Sequence, residues 1–211
     1  MLEPFDWNVV VAGAWNRALL TPAWLQKRVF KQPDATIELF LPVEFPAPPR
    51  VKLGEMTIEV STSAFLVGAT ACNYDSLASA QKLATNALDA LGETPISGVG
   101  INIRYRIGNL VELTLQRTKA EFDRRLGDSM LVVKEKSLQR TISHDAGVLN
   151  LTLSEDETAK GTVLFNFHRG TTEVAAAKEW LEMSQEQLQK VVDVVLYDCV
   201  GIQKGGGDGN G

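Results

Sequence analysis

Residues 76–91 read SLASAQKLATNALDAL, and this stretch decides the fold. Its apolar residues recur with a period near 3.6, which predicts one long amphipathic helix over Ser76–Leu91. They are Leu77, Ala80, Leu83, Ala84, Ala87, Leu88 and Leu91. Asp75 is suited to cap the start of this helix, and Gly92 is suited to end it. A helix with one apolar side must bury that side, so the chain needs a sheet for the helix to cover.

Segments on both sides of this helix supply strands and then repeat its pattern. Alternating or β-branched stretches near residues 6–15, 36–43, 50–60 and 63–71 come before the helix. Further stretches near 98–105, 130–142, 147–154 and 161–168 come after it and lead into a second apolar stripe, Thr172–Cys199. The sequence therefore predicts an α+β protein with two related halves, residues 1–108 and 109–203. The glycine-rich tail, residues 204–211, is expected to be disordered.

The composition excludes several classes of protein. The 211 residues are 45% apolar and 22% charged, as in globular domains, and the net charge of −5 disfavours a general binder of nucleic acid or anionic membranes. No apolar run approaches the ~20 residues of a membrane span. The N-terminus lacks the basic region of a signal peptide, so we expect a cytoplasmic protein that does not associate with membranes. Cys72 and Cys199 have no metal-type spacing, and the sequence indicates no metal or cofactor.

The two histidines are the only candidates for acid–base catalysis. His168 ends a predicted strand and could pair with Glu173 or Glu179, while His144 lies in a predicted hairpin turn. The alternative is a surface histidine at a strand end, which is far commoner because catalysis needs further convergent groups. The sequence contains no HExxH, GxSxG, P-loop or EF-hand pattern, so it predicts no enzyme active site.

Two groups of residues are candidates for macromolecular contact. Phe5 and Trp7 lie in an aromatic N-terminus, and Phe45 lies between prolines, so all three are candidate protein contacts, although aromatic residues are equally common in cores. The segment 104–140 is locally basic. Its residues Arg104, Arg106, Arg124 and Arg125, with Tyr105 beside them, could contact a nucleic-acid backbone. A solvated charged surface is the other reading of that segment.

The chain also resembles a sporadically distributed family of uncharacterised bacterial proteins. The resemblance rests on WNVVVAGAWNRALLTPAW at 7–24, on Thr94-Pro95, on the strand GINIRY at 100–105, and on a second half that ends in a long helix. It implies a fold similar to the export chaperone SecB, in which each half is a curved antiparallel sheet covered by one long amphipathic helix. GINIRY departs from the family's GLRY-type motif, the following asparagine is displaced to Asn109, and no functional residue carries over.

Three functions follow as hypotheses. The first is a non-enzymatic protein-interaction module, an adaptor or assembly subunit of a bacterial or phage complex. The second is a SecB-like chaperone or an antitoxin-type holdase, which requires an exposed apolar groove. The third is a nucleic-acid-associated protein that uses the 104–140 segment. Exposed sheet edges and an apolar last helix also favour a homodimer.

Overall fold

The computed structural model describes residues 2–42, 48–107, 134–156 and 161–202. The strands are β1 (Asp6–Gly13), β2 (Glu38–Phe40), β3 (Arg50–Leu53), β4 (Met56–Val60), β5 (Ala64–Ala69), β6 (Ile96–Ile107), β7 (Glu135–His144), β8 (Gly147–Asp156) and β9 (Gly161–Gly170). The helices are α1 (Pro22–Leu25), α2 (Tyr74–Ala90), α3 (Val174–Leu181) and α4 (Gln185–Asp193). Five π-helical residues, Gln26–Phe30, continue α1, and a second π-helical segment, Val194–Cys199, continues α4.

All nine strands form one antiparallel sheet in the order β2-β3-β4-β5-β1-β6-β9-β8-β7. The α+β class is confirmed, but the expectation of a separate sheet in each half is wrong. β6 lies in the middle, where Ile101 is opposite Val9 of β1 and Phe167 of β9. Each of β1 and β6 has backbone donors and acceptors along both of its edges. In two separate sheets one edge of each strand would be unpaired, and the pairing of β1 with β6 satisfies both of these edges.

Alternation along the central strands separates a buried face from a half-exposed one. On β1, Trp7, Val9 and Val11 are buried, and α2 packs over β1 and β5. On β6, Tyr105 is among the largest fully buried side chains, and α3 packs over this strand. Trp7 is only 2% exposed. The prediction that Trp7 is a protein contact is therefore wrong. Trp7 lies in a central strand, and alternation along that strand points its side chain toward the core.

The helix expected at Ser76–Leu91 is present as α2. It begins two residues earlier because Asn73, not Asp75, is the capping residue. The Asn73 side chain accepts a hydrogen bond from the Ser76 amide at 2.8 Å, and the Asn73 amide donates to Ser76 Oγ at 3.2 Å. This reciprocal pair satisfies two backbone donors that the first helical turn would otherwise leave unpaired.

The helix expected over Thr172–Cys199 is divided, which corrects the prediction of one long second helix. The chain leaves α3 after Leu181 and enters α4 at Gln185. Ser184 caps α4 through a reciprocal bond pair with Gln187, so the sequence supplies its own restart signal. At the break, Gln81 Nε2 of α2 donates to the carbonyls of Leu181 and Met183, both at 2.9 Å.

An asparagine row crosses five strands on the half-exposed face. Asn102 Nδ2 donates to Asn8 Oδ1 at 2.7 Å, and Asn166 Nδ2 donates to Asn102 Oδ1 at 2.7 Å. Asn150 Nδ2 continues the row to Asn166 Oδ1 at 2.9 Å, and Thr141 and Asn150 are joined at 2.9 Å. Every pair is directly opposite in the strand register. A slip of one residue would turn these amides toward the apolar core, so the row fixes the register.

Candidate functional site

Large apolar side chains remain exposed at one end of the molecule. Leu41 is 71% exposed, Leu19 is 52% exposed, and Leu39 and Phe40 are each 48% exposed. All four belong either to the β2 region or to the turn before α1. The other two exposed large apolar residues of the described chain, Ile142 and Val194, are isolated elsewhere. A concentration of this kind marks an interaction surface more often than scattered exposure does.

An apolar groove lies beside Leu39, between α1 and the sheet, where buried side chains of β3 and β4 and the exposed Leu39 of β2 line it. Its volume is about 420 Å³. The walls include Leu20, Leu25, Leu39, Val51, Ile58 and Val60, and Arg17 lies at its rim. The groove stays open because α1 has only four residues, so it covers only part of the hairpin beneath it. We call it the β2 groove.

A local start signal positions α1 over this groove. Thr21 Oγ1 accepts a hydrogen bond from the Trp24 amide at 3.3 Å, and Pro22 occupies the first helical turn. Leu25 and Val29 then turn inward and are buried. The chain ends this segment at Lys31, whose φ of 58° is left-handed. The short helix is therefore anchored by Leu25 and by the buried Leu20 before it, while Arg17 and Leu19 stay exposed.

β2 is the terminal strand on this side of the described sheet. It pairs with β3 over three residues, and Glu38 accepts a hydrogen bond from Lys52 Nζ at 3.2 Å. Its other side has no strand partner among the described residues. An edge of this kind presents unpaired backbone N–H and C=O groups and pairs readily with another extended chain.

The segment above the β2 groove is basic, although the whole chain is acidic. Residues 16–37 contain four cations, Arg17, Lys27, Arg28 and Lys31, and one anion, Asp34, which gives +3 in a chain of −5. The four cationic side chains form no hydrogen bond or ion pair with a described residue, and all are exposed. Because these four cations are exposed and have no partner among the described residues, they can attract an acidic partner.

A second groove of about 720 Å³ lies on the other side of the π-helical residues. Its walls include Phe30, Leu53, Met56 and Leu83. Asn86 also lines it, and Asn86 Nδ2 donates to the Val29 carbonyl at 2.9 Å, which holds α2 against the segment that separates the two grooves. The apolar surface thus continues beyond the β2 groove along the same hairpin.

The structure does not bring the histidines together with the carboxylates proposed for them. His168 lies on the half-exposed face near Gly98, where an added Cβ would come within 3.1 Å of its ring. Glu179 instead accepts from Arg169 at 3.1 Å. His168 has no hydrogen bond or ion pair with a described residue. In the part of the chain described, it therefore lacks the partner that acid–base catalysis requires.

His144 ends β7 at the opposite side of the molecule, beside a left-handed Asp145 with φ of 46°. Its ring packs edge-on against Phe167 and Trp180, with centroids 5.5 and 6.0 Å apart. The Nε2 atom lies 3.8 Å from Asp145 Oδ2 and is buried without a hydrogen bond to any described residue. The expected hairpin is present, but its turn is Asp145 and Ala146, and His144 is the last residue of β7, where it packs in an aromatic cluster.

The two described arginines next to Tyr105, Arg104 and Arg106, do not lie on the same face as Tyr105. Arg104 pairs with Asp6, and the Arg106 guanidinium carbon lies 4.5 Å above the Phe5 ring. Tyr105 is fully buried on the other face of β6. The prediction that Tyr105 lies beside these arginines on one nucleic-acid-binding surface is therefore wrong. Strand alternation is the reason, because neighbouring residues point to opposite faces. Arg124, Arg125 and the candidate contact Phe45 lie outside the described residues.

Phe5 is half-buried beneath Arg106, so it retains part of the surface expected of a contact residue. Leu19, Leu39 and Leu41 of the apolar end, and Arg17 beside them, are not among the contact residues that the sequence predicted. Their signal was present as three consecutive large apolar residues, 39–41, placed just before the proline-rich stretch 42–49. Such a run at a sheet edge cannot be buried on both faces.

Two tyrosines form a buried hydroxyl pair between α2 and β6. Tyr74 Oη and Tyr105 Oη lie 2.5 Å apart. Burial raises the pKa of Tyr74 to about 12, and burial also raises the pKa of Tyr105. Both phenols therefore stay neutral at pH values at which exposed tyrosines ionise.

Alkaline pH is expected to destabilise the protein through this pair. An unfolded tyrosine loses its proton near pH ~10, whereas folded Tyr74 does so at about 12. Across this window the folded state binds more protons, so the free energy of unfolding falls as pH rises. Urea denaturation at several alkaline pH values measures the free energy of unfolding. This free energy should fall less steeply with pH in the variant Tyr74→Phe/Tyr105→Phe than in the unchanged protein. An unchanged pH dependence in this variant would contradict the assignment.

Among the described residues, no group of three or more His, Cys, Asp and Glu side chains is placed to hold a metal ion. No described helix is long and apolar enough to cross a membrane. Comparison with models of known protein families gives no match, and comparison with curated proteins gives none either. The likeness to SecB-type proteins therefore stays a prediction.

Proposed function

We propose that this chain is a non-enzymatic protein-interaction module, an adaptor or assembly subunit of a bacterial or phage complex. The observation that carries the proposal is the apolar end, where Leu19, Leu39, Phe40 and Leu41 are exposed and Leu39 lines an open groove. Burying large apolar side chains stabilises a complex by ~1.5–3 kcal/mol each. A partner that covers this end removes these side chains from water, and the complex is stabilised by that free energy of burial.

A SecB-like chaperone or holdase is the second candidate. The β2 groove favours this function. Its walls are apolar with one cation at the rim, so it can bind many different sequences and discriminates little between them. An adaptor should bind one partner with a defined interface of more than ~1,000 Å². A holdase should bind many unfolded chains at the same surface.

We also propose that the two halves of the chain are related to each other. The order β1-β5-β4-β3 in the first half has its counterpart in β6-β9-β8-β7 in the second. Each set of four strands is followed by helices, α2 in one case and α3 with α4 in the other. The two sets meet through the antiparallel pair β1 and β6, as two copies related by a two-fold axis would.

Photo-crosslinking from the apolar end is expected to capture the partner. A photoreactive benzoylphenylalanine in place of Leu41 should give one discrete adduct in cells that express the protein from its own locus. The same residue in place of Ile142 or Val194, which are also exposed but isolated, is the matched control. Mass spectrometry then identifies the adduct.

The adduct pattern separates the candidate functions. One adduct from position 41 that is absent from both controls supports the adaptor, and an adduct of twice the chain's mass identifies a homodimer. A ladder of many adducts supports the holdase. Equal labelling from all three positions would contradict an interaction function for the apolar end.

A further inference from the structure

We infer that the occupant of the β2 groove is an extended, acidic segment of another polypeptide, which adds to β2 as a further strand of the sheet. The inference rests on the proposed function and names the chemistry of the partner. Three observations carry it: the side of β2 with which no described strand pairs, the apolar groove next to it, and the net positive charge of residues 16–37.

The free side of β2 requires an extended backbone. Pairing with β3 satisfies one side of the strand, and the described residues supply no donors or acceptors for the other side. A helix cannot satisfy these groups, because its own backbone bonds are internal. A strand can, and it would stand ~4.8 Å beyond β2 in the plane of the sheet.

The groove then selects alternating apolar side chains. Leu39 points to the groove side of β2 and remains 48% exposed, so it is only partly covered by the chain's own residues. Alternate residues of an added strand point to this same side and would pack against Leu39 and Leu41. The residues between them would point to the side of Phe40. Strand addition of this kind obtains affinity from the backbone and specificity from alternate side chains.

Charge selects an acidic partner over a second copy of this chain. Residues 16–37 carry +3, and two copies joined edge to edge at β2 would bring two such segments together. Like charges placed together weaken a complex, whereas carboxylates of a bound segment would be attracted to residues 16–37, of which Arg17 lines the groove. The sign of the field at this end therefore disfavours self-pairing.

A designed peptide tests the inference directly. The probe is a fluorescent nine-residue peptide with Leu, Val and Leu at alternate central positions, Thr between them and two Glu at each end. We expect it to bind about tenfold more tightly in low salt than the same peptide with Lys in place of Glu, and the difference should shrink as salt is added.

Backbone methylation distinguishes strand addition from simple apolar contact. Two further peptides carry N-methyl groups on one or the other alternate set of central amides. In an antiparallel pair only one set faces the neighbouring strand. One methylated peptide should therefore lose binding while the other retains it. Equal binding of both would overturn strand addition.

Matched variants locate the bound peptide. Leu39→Asp should abolish binding, because it places a carboxylate in the groove. Arg17→Ser/Lys27→Ser, which includes the cation that lines the groove, should remove most of the preference for Glu over Lys, whereas Arg140→Ser/Lys190→Ser, which also removes two exposed cations, should leave it intact. Equal affinity of the Glu and Lys peptides would overturn the acidic partner.

The outcomes also separate this inference from the proposed function. If no peptide binds but crosslinking from position 41 gives a discrete adduct, the inference fails and the interaction function stands. If both experiments fail, both proposals fail. A dimer of the chain alone that Leu39→Asp dissociates would overturn the inference in favour of a second copy.

Discussion

Gly147→Ala is expected to lower the free energy of unfolding by about 3 kcal/mol, the upper end of the usual cost of overpacking. A Cβ at this position would lie 2.3 Å from the carbonyl oxygen of His168 and 2.8 Å from Cη2 of Trp180. Neither group can retreat freely, because the carbonyl belongs to β9 and the indole is buried at 4% exposure. Thermal and urea denaturation measure the loss.

Gly170→Ala is the matched control, since an added Cβ there would meet nothing within 4 Å. Both glycines lie at strand ends and change in the same way, so loss of glycine flexibility in the unfolded chain affects both alike. Only the clash differs. Equal stability of the two variants would show that β8 and Trp180 can move apart at little cost.

Gln81→Met is expected to destabilise the protein by about 2–4 kcal/mol, because it leaves two buried carbonyl oxygens without their donor. Gln81 is buried at 6% exposure, and its Nε2 atom donates to the carbonyls of Leu181 and Met183. Methionine has nearly the same length and shape, so packing changes little and the lost hydrogen bonds dominate. Hydrogen exchange should also show faster opening at the break between α3 and α4.

Gln189→Met provides the comparison for this change. Gln189 Nε2 donates to Asp193 Oδ1 at 2.8 Å within the same helix and is only half-buried. Loss of such a surface pair should cost no more than ~0.5 kcal/mol. If both variants lose the same small amount, water replaces the Gln81 amide, and the bridge between α2 and the break does not stabilise the fold.

Local signals predicted most of the elements. The period of the apolar residues located α2 to within two residues at its start and one at its end. The alternating stretch 50–60 is present as β3 and β4, which Gly54 separates with a left-handed φ of 59°. These features depend on neighbouring residues, which a sequence displays directly.

Features that depend on distant segments of the chain could not be predicted from the sequence. Nothing in residues 96–107 states that this strand pairs with both β1 and β9, because pairing depends on segments about 90 and 60 residues away. The break after Leu181 was missed because the apolar stripe continues through it. Ser184 with Gln187 would have indicated the restart, since a capping residue inside a helical pattern competes with the helix.

The candidate site was predictable only in part. Alternation alone separates Tyr105 from Arg104 and Arg106, so that surface could have been rejected at the sequence level. The β2 groove could not have been predicted, because it depends on how much of the hairpin α1 leaves uncovered. Exposure of Leu39 and Leu41 is a property of packing between segments.

The position of β1 has a consequence for synthesis of the chain. β1 is synthesised before the other described strands, yet its neighbours in the sheet are β5 and β6. About 50 residues separate Gly13 from Ala64, so at ~5–20 residues per second β1 waits several seconds for its first partner. During that time the apolar run Val9–Val11 is unprotected, and a nascent chain of this kind is a natural client for ribosome-associated chaperones.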